Sequence, residues 1–252
     1  TDLDLDKQGV HLFLTRHDWE DSFEQMEADF KDINADHVIV TADLRDTEQV
    51  EALAAKIKKQ YGRLDILINN IERGGWPTVH GRYTSEQWDL EIETTLKAKQ
   101  WVFSSVFELL KKSDDAVVIN LSSIAGIVGR SGPAALVFND AYALASRGVS
   151  SLTEIWAKMG APKIRVNEIM LGIFDTRHAK GTRGWKEVLT EDEKQSLIDH
   201  TLLKRTGSID EAVNACLFII KDAPYMTGSV LRLDGGFVHG GAKVPPMPEG
   251  IV

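Results

Sequence analysis

Short apolar runs alternate with helical patterns along most of the chain, and this alternation is the strongest constraint on its fold. The apolar runs lie at 9–15, 37–42, 65–69, 116–121, 164–170 and 229–233. Each is apolar along its whole length and rich in β-branched residues, which is typical of a parallel strand covered on both faces. Helical patterns occupy 18–33, 47–61, 85–112, 141–159 and 208–221. The order predicts an α/β fold with a doubly wound, Rossmann-like parallel sheet of about six strands.

The length of the chain predicts a single domain. A chain of 252 residues is within the range of one large α/β domain. Its content of 43% hydrophobic and 27% charged residues is ordinary for a globular protein with a full core. Residues 240–252 are rich in glycine and proline, so we expect them to form an extended tail.

Composition also excludes several classes of function. The net charge of −9 argues against nucleic acid and anionic membrane as partners. No apolar run approaches the roughly 20 residues that a membrane span needs. The single cysteine, Cys216, rules out an internal disulfide, and with a start that lacks a signal-peptide pattern it predicts a cytoplasmic location. The seven histidines show no spacing typical of metal ligands, so no metal site is expected.

Five segments, in their order and spacing, resemble the short-chain dehydrogenase/reductase family over residues 9–238. They are LDILINN, VVINLSS, Tyr142 with the helix after it, KIRVNEIMLG and TGSVLRLDGG. The resemblance implies a Rossmann-like oxidoreductase that binds a nicotinamide dinucleotide. It also implies a catalytic set of serine, tyrosine, lysine and asparagine, and pairing of subunits through two long helices.

The first departure from the family concerns the phosphate site of the cofactor. The family places a glycine-rich loop after its first strand, so that backbone N–H groups can approach the pyrophosphate. Here no glycine lies between Gly9 and Gly62, and the first strand runs into the acidic segment RHDWED. The segment GVHLFLT resembles the family's second strand, so the first βα unit is interpreted as degenerate or deleted. We expect GVHLFLT to move into the central position and VIVTA to become the edge strand, because a gap would leave backbone groups unpaired.

The remaining cofactor residues are also altered. Asn69 and Asn70 match the start of the family's turn, but the small pair that follows in the family is replaced by Ile71 and Glu72. Asp43 resembles the aspartate on the adenine side, and we interpret it as an acidic residue at the entry to a helix. Asp43, Asn69 and Asn70 are therefore vestigial, and no cofactor is expected in this chain.

The catalytic set is incomplete in the same way. Ser123 and Tyr142 match the serine and tyrosine, whereas Ser146 occupies the lysine position and Thr95 the asparagine position. A tyrosine with an ordinary pKa near ~10 is a poor base at neutral pH without a neighbouring cation. The helix carries one apolar stripe through Tyr142, Ala145, Val149, Leu152 and Trp156. We therefore predict that Tyr142 is a packing residue and that the chain has no catalytic residues.

These departures favour a non-catalytic subunit of a heteromeric, NAD-dependent short-chain dehydrogenase. Its partner would be an active paralogue that holds NAD, joined through helices 85–112 and 141–159 and the C-terminal region. The first of these helices carries more apolar surface than one packed face requires, at Trp88, Ile92, Leu96, Val102, Phe103, Val106, Phe107 and Leu110. An aromatic hydroxyacyl-CoA is one substrate class that the resemblance suggests for the complex.

Two other functions remain open from the sequence. One is a cofactor-independent lyase that resembles halohydrin dehalogenases and would use Ser123, Tyr142 and Arg147. Helical geometry argues against it, because Arg147 lies five residues after Tyr142, about 140° away around the helix. The other is a regulatory protein that binds a small ligand in the vestigial cleft.

Overall fold

All six predicted strands are present in the computed structural model. It describes residues 10–17, 23–31, 36–72, 84–176, 185, 189–241, 244–248 and 250. The strands are β1 (Leu12–Arg16), β2 (His37–Thr41), β3 (Ile66–Asn69), β4 (Ala116–Ser123), β5 (Ile164–Leu171) and β6 (Val230–Leu233). The segment of the phosphate turn at 18–22 lies outside the described residues.

The five predicted helices are also present, one of them divided by a π-helical turn. The α-helices are α1 (Phe23–Lys31), α2 (Thr47–Gln60), α3 (Ser85–Ile92), α4 (Ala98–Leu110), α5 (Ala125–Val128), α6 (Asp140–Gly160), α7 (Glu191–His200) and α8 (Ile209–Lys221). The π-helical turn Glu93–Lys97 joins α3 to α4, and 3₁₀ turns lie at Gly132–Leu136 and Phe237–His239. The sequence did not predict α7, because it is polar and buries only Leu197, and its start is fixed by a capping box at Thr190.

The structure corrects the role predicted for Asp43. Asp46, not Asp43, caps α2, since its side chain accepts hydrogen bonds from the amides of Glu48 and Gln49. Asp43 lies in the turn before the helix, and its carboxylate binds Arg45. The helix entry is therefore built by one aspartate, and the other belongs to a separate ion pair.

The parallel sheet is divided into two parts, which differs from the continuous sheet predicted. Among the described residues, β1 pairs with β2 in one part and β3-β4-β5-β6 form the other. Within the described ranges β2 pairs with β1 alone, and in this two-stranded part both strands lie at an edge, so β1 does not take the predicted central position. Leu12 and Leu14 of β1 pack in a cluster with Ile68 of β3, but no ladder joins the two strands. Side-chain packing thus brings β1 towards β3 without the backbone pairing that the prediction required.

Helices cover both faces of the four-stranded part. Ala116 and Val118 of β4 face α4 and α6, where Phe103 and Trp156 fill the core. The alternate residues Val117, Ile119 and Leu121 face α8, which contributes Ala215, Cys216 and Ile219. This arrangement explains why the strands read as apolar on both faces. In the described part of the chain, no helix is both long and apolar enough to cross a bilayer.

Strand register brings polar residues into one row at the carboxyl end of the sheet. Asn69 of β3 pairs with Asn120 of β4, and Asn120 pairs with Glu168 of β5. Ser122 and Ser123 end β4 beyond this row. The carboxyl edge of a parallel sheet is where α/β proteins place their binding sites, so these residues mark the candidate functional site.

Candidate functional site

Ser123 and Tyr142, the two matches to the catalytic set, are buried at the carboxyl edge of the sheet. The Oγ atom of Ser123 accepts a hydrogen bond of 3.1 Å from the amide of Ala125, at the start of α5. Tyr142 is only 4% exposed, and its ring packs on Phe138 with 5.8 Å between ring centroids. The surrounding apolar cluster includes Ile124, Ala125, Met170, Leu189, Leu197 and Phe237. The ring of Tyr142 thus packs among apolar side chains, and its predicted lack of a catalytic role stays a prediction.

Ser146 and Thr95, at the positions of the lost lysine and asparagine, are enclosed completely. Both side chains are buried, and neither hydroxyl has a hydrogen-bond partner. Ser146 lies one turn after Tyr142 on α6, and Thr95 lies in the π-helical turn. A serine hydroxyl carries no charge, so it cannot stabilise a tyrosinate as an ammonium does.

Asn69 belongs to a buried hydrogen-bond chain that joins the sheet to α6. Its Nδ2 atom donates to Oδ1 of Asn120 at 2.8 Å, and Nδ2 of Asn120 donates to Oγ1 of Thr153 at 2.9 Å. Asn70, the next residue, is exposed. Asn69 therefore has a structural role, because its side chain is hydrogen-bonded to Asn120 inside the protein.

Lys99 is a buried cation that the sequence did not single out. Its side chain is 0% exposed, and its Nζ atom donates to the carbonyl of Ile71 and, at 3.1 Å, to the carbonyl of Thr95. Burial lowers the pKa of Lys99 to about 8, although the charges of Glu72 and Glu168 act in the opposite direction. In the sequence, Lys99 lies within LKAK and looks like an ordinary surface lysine of a helix.

Glu168 is the second buried charged group that sequence reasoning missed. It is 0% exposed on β5, and its Oε1 atom accepts hydrogen bonds from Ser122 and, at 3.1 Å, from Ser150. Its Oε2 atom has no partner. Burial raises the pKa of this carboxyl, and the two serine hydroxyls partly offset that effect. A glutamate within the apolar run IRVNEIM was the signal that could have identified it.

The carboxylate of Asp43 forms an ion pair with a neighbouring arginine. The guanidinium of Arg45 donates to both carboxylate oxygens, with distances of 2.9 Å from Nε to Oδ1 and 2.6 Å from Nη2 to Oδ2. This hydrogen bonding is the main reason that the pKa of Asp43 falls to about 2. Nε2 of His17 lies 3.6 Å from the same carboxylate. The carboxylate is thus already satisfied by protein groups.

Larger side chains stand in the turn after β3, on the side of the sheet where the family binds its cofactor. Ile71 and Glu72 stand where the family has two small residues, and the carbonyl of Ile71 is bound by Lys99. Burial raises the pKa of the Glu72 carboxyl, against the opposing effect of the Lys99 charge. No step involving a bound cofactor is therefore assigned to this chain.

The other chemistry considered from the sequence has little support in the structure. Arg147 is exposed, whereas Tyr142 and Ser123 are buried, so the three residues of the lyase hypothesis do not share one environment. Within the described ranges, no group of three or more histidine, cysteine, aspartate or glutamate residues could hold a metal ion. The lone Cys216 is buried.

Comparisons with known proteins identify the family. The family profile described as enoyl-(acyl carrier protein) reductase matches residues 3–238. A 1,6-dihydroxycyclohexa-2,4-diene-1-carboxylate dehydrogenase from Pseudomonas putida is 32% identical over 211 residues, which cover 80% of this chain and 75% of that protein. A 3-oxoacyl-[acyl-carrier-protein] reductase from Thermotoga maritima is 31% identical over 197 residues, or 77% of this chain and 74% of that protein.

Solved structures agree on the fold. A putative short-chain alcohol dehydrogenase from Sinorhizobium meliloti superposes with a TM-score of 0.78 at 24% identity, covering 95% of this chain and 90% of that one. With the sheet, the flanking helices and these relatives in hand, the chain belongs to the short-chain dehydrogenase/reductase family. The named relatives are oxidoreductases.

Proposed function

We propose that this chain is a non-catalytic subunit of a heteromeric, NAD-dependent short-chain dehydrogenase. One observation carries the proposal. Ser146, fully buried and without a hydrogen-bond partner, stands one helical turn after Tyr142, where the catalytic lysine of the family belongs. Without a cation beside it, a tyrosine of ordinary pKa near ~10 is almost entirely protonated at neutral pH and cannot act as the base.

The cofactor side of the cleft supports the same proposal. Lys99 binds the carbonyl of Ile71, and Arg45 satisfies the carboxylate of Asp43. Without these contacts, the carbonyl of Ile71 and the carboxylate of Asp43 would be free to face a dinucleotide. NAD therefore belongs to the active partner subunit in this proposal, and the chain itself binds none.

Exposed apolar side chains indicate where the partner would bind. Leu144, Ile155 and Met159 of α6 are 57%, 49% and 55% exposed. At 3.6 residues per turn they lie within about 60° around the helix, so they form one stripe, called here the apolar stripe of α6. Trp88 of α3 and Trp101 of α4 are also exposed. Exposed apolar side chains of this kind favour a protein partner over solvent.

The C-terminal region provides the second surface of the proposal. Val244 and Met247 are 96% and 80% exposed, and both lie in the extended tail. Apolar side chains with this exposure would be covered if the tail crossed an interface in a heterotetramer. A complex of this arrangement that the chain resembles is the 2-[hydroxy(phenyl)methyl]succinyl-CoA dehydrogenase of anaerobic toluene degradation, so we propose an aromatic hydroxyacyl-CoA as the substrate of the active partner.

Calorimetric titration and copurification test the proposal together. The isolated chain should give no binding heat with NADH or NADPH, and it should show no dehydrogenase activity and release no halide from halohydrins. Coexpressed with an active paralogue, it should elute as one complex that binds NAD in the partner. Micromolar binding of NADH by this chain alone, or turnover without a partner, would refute the assignment. Halide release by the isolated chain would establish the lyase instead.

A further inference from the structure

Lys99 lies in the interior that the family's catalytic groups occupy. Its ammonium joins the carbonyl of Thr95, at the lost asparagine position, to the carbonyl of Ile71 in the turn after β3. The π-helical turn that contains Thr95 packs against α6, since Leu96 lies against Gly148. Lys99, which follows the π-helical turn, and Ser146 of α6 thus belong to elements that pack against each other.

The buried carboxylate of Glu168 lies on β5, the strand that packs against α6. Glu168 of β5 is bound through Oε1 to Ser122 and to Ser150, which lies one turn after Ser146 on α6. Lys99 acts electrostatically on Glu168 and on Glu72. Oε2 of Glu168 and the hydroxyls of Ser146 and Thr95 are buried without partners. This part of the interior therefore holds the ammonium of Lys99, the carboxyl group of Glu168 and several polar atoms that lack hydrogen bonds.

This arrangement of buried polar groups needs the positive charge of Lys99. A buried charge is tolerated when hydrogen bonds and an opposite charge compensate for lost hydration. An apolar residue at position 99 would remove the hydrogen bonds that the carbonyls of Ile71 and Thr95 accept, and one of the two positive charges that act on Glu168, the other being that of Arg147. Removal of one partner from a buried charged group is among the most destabilising single substitutions.

We propose that Lys99 is a structural residue that supplies, from α4, the internal cation lost at Ser146 of α6. Its ammonium holds the Ile71 turn to the π-helical turn through the two carbonyls that it binds. The vestigial site is thereby filled by the protein's own side chains and is kept folded without a ligand. This inference rests on the proposal that the chain holds no nicotinamide of its own.

Transfer of the cation between the two helices tests this inference. Thermal unfolding of the full chain, within its complex where a partner copurifies, is compared for wild type, Lys99→Met, Lys99→Gln and the double variant Lys99→Met/Ser146→Lys. We expect Lys99→Met to lower the Tm by at least about 6 °C, in line with a broken buried pair in a chain of this size. Adding Ser146→Lys should restore at least half of that loss.

The control places the same charge elsewhere. Ala55 is exposed on α2, so Lys99→Met/Ala55→Lys should remain as unstable as Lys99→Met. If Lys99→Met alone does not fold, recovery of folded protein with Ser146→Lys, and not with Ala55→Lys, is the expected result. Lys99→Gln keeps a hydrogen-bond donor without charge and should stay close to Lys99→Met.

Several outcomes would overturn the inference. They are a Tm of Lys99→Met within about 2 °C of wild type, equal recovery with Ala55→Lys, no recovery with Ser146→Lys, and wild-type stability of Lys99→Gln. Each concerns stability, so the result does not depend on whether the wild-type chain binds NADH. A stable, transferable cation together with micromolar NADH binding would retain the role of Lys99 and reject only the proposed function.

Discussion

The rings of Phe103 and Trp156 stack face to face, with 4.1 Å between centroids and an angle of 7° between planes. Phe103 comes from α4 and Trp156 from α6, and both are 1% exposed. Phe103 was expected among the residues that make 85–112 more apolar than one packed face requires. The structure shows instead that it joins the two helices within one chain, so in the proposed complex other residues would contact the partner.

Replacement of Phe103 should therefore affect the fold before it affects assembly. We expect Phe103→Ala to lower the free energy of unfolding by about 3–5 kcal/mol, because it removes the stacked ring and leaves a cavity. Urea denaturation of the isolated chain measures the loss. Phe218→Ala on α8, where the ring is 45% exposed, is the control and should cost far less. Equal losses for the two variants would show that the stacked pair does not stabilise the core.

A charge in the apolar stripe of α6 should prevent assembly and leave the fold intact. Leu144→Asp and Ile155→Asp place a carboxylate at exposed positions, so the free chain keeps its stability. In the complex the same carboxylate would be buried without a partner, at an interface expected to reach about 1,600 Å². Size-exclusion chromatography of the coexpressed subunits measures the effect, with Ala55→Asp on α2 as the control. A complex that survives both substitutions would place the interface elsewhere.

Loss of the phenol of Tyr142 should leave the complex active. The hydroxyl lies on a ring packed among apolar side chains, and the lysine position beside it is a serine. With the active partner present, Tyr142→Phe should keep turnover within about twofold, since no cation prepares the phenol as a base. Steady-state kinetics of the assembled complex checks this. A fall of about a hundredfold with intact assembly would show that the tyrosine is catalytic.

The ion pair of Asp43 and Arg45 predicts a loss of stability in acid. The guanidinium of Arg45 holds the pKa of Asp43 at about 2 in the folded chain, below its ordinary value of 3.8. The unfolded chain therefore binds more protons between these values, so this contribution is complete above pH 3.8 and is lost as the pH falls through about 2.

Asp43→Asn measures this contribution directly. The Tm difference between wild type and Asp43→Asn should be largest near pH ~5 and should shrink towards pH ~2. Asp114→Asn, at an exposed loop position, controls for the change in net charge. A difference that is constant across this range, or that grows in acid, would contradict the assignment.

Much of the fold could be predicted because strand and helix patterns are local. The six apolar runs predicted all six strands. The start of α7 and the break between β1 and β3 could not be predicted. A polar helix with one buried leucine has a weak period, and the pairing of two strands depends on residues far apart in the chain.

The candidate site, like the fold, could be predicted from the sequence only in part. The sequence by itself determined that Thr95, Ser123, Tyr142 and Ser146 occupy the four catalytic positions of the family, because these positions follow from motif and spacing. Only the tertiary structure brought Lys99 beside Ile71 and placed Glu168 among serines. A lysine in a helix and a glutamate in a strand are ordinary alone. Their charge becomes costly, and therefore informative, only when folding removes water from both.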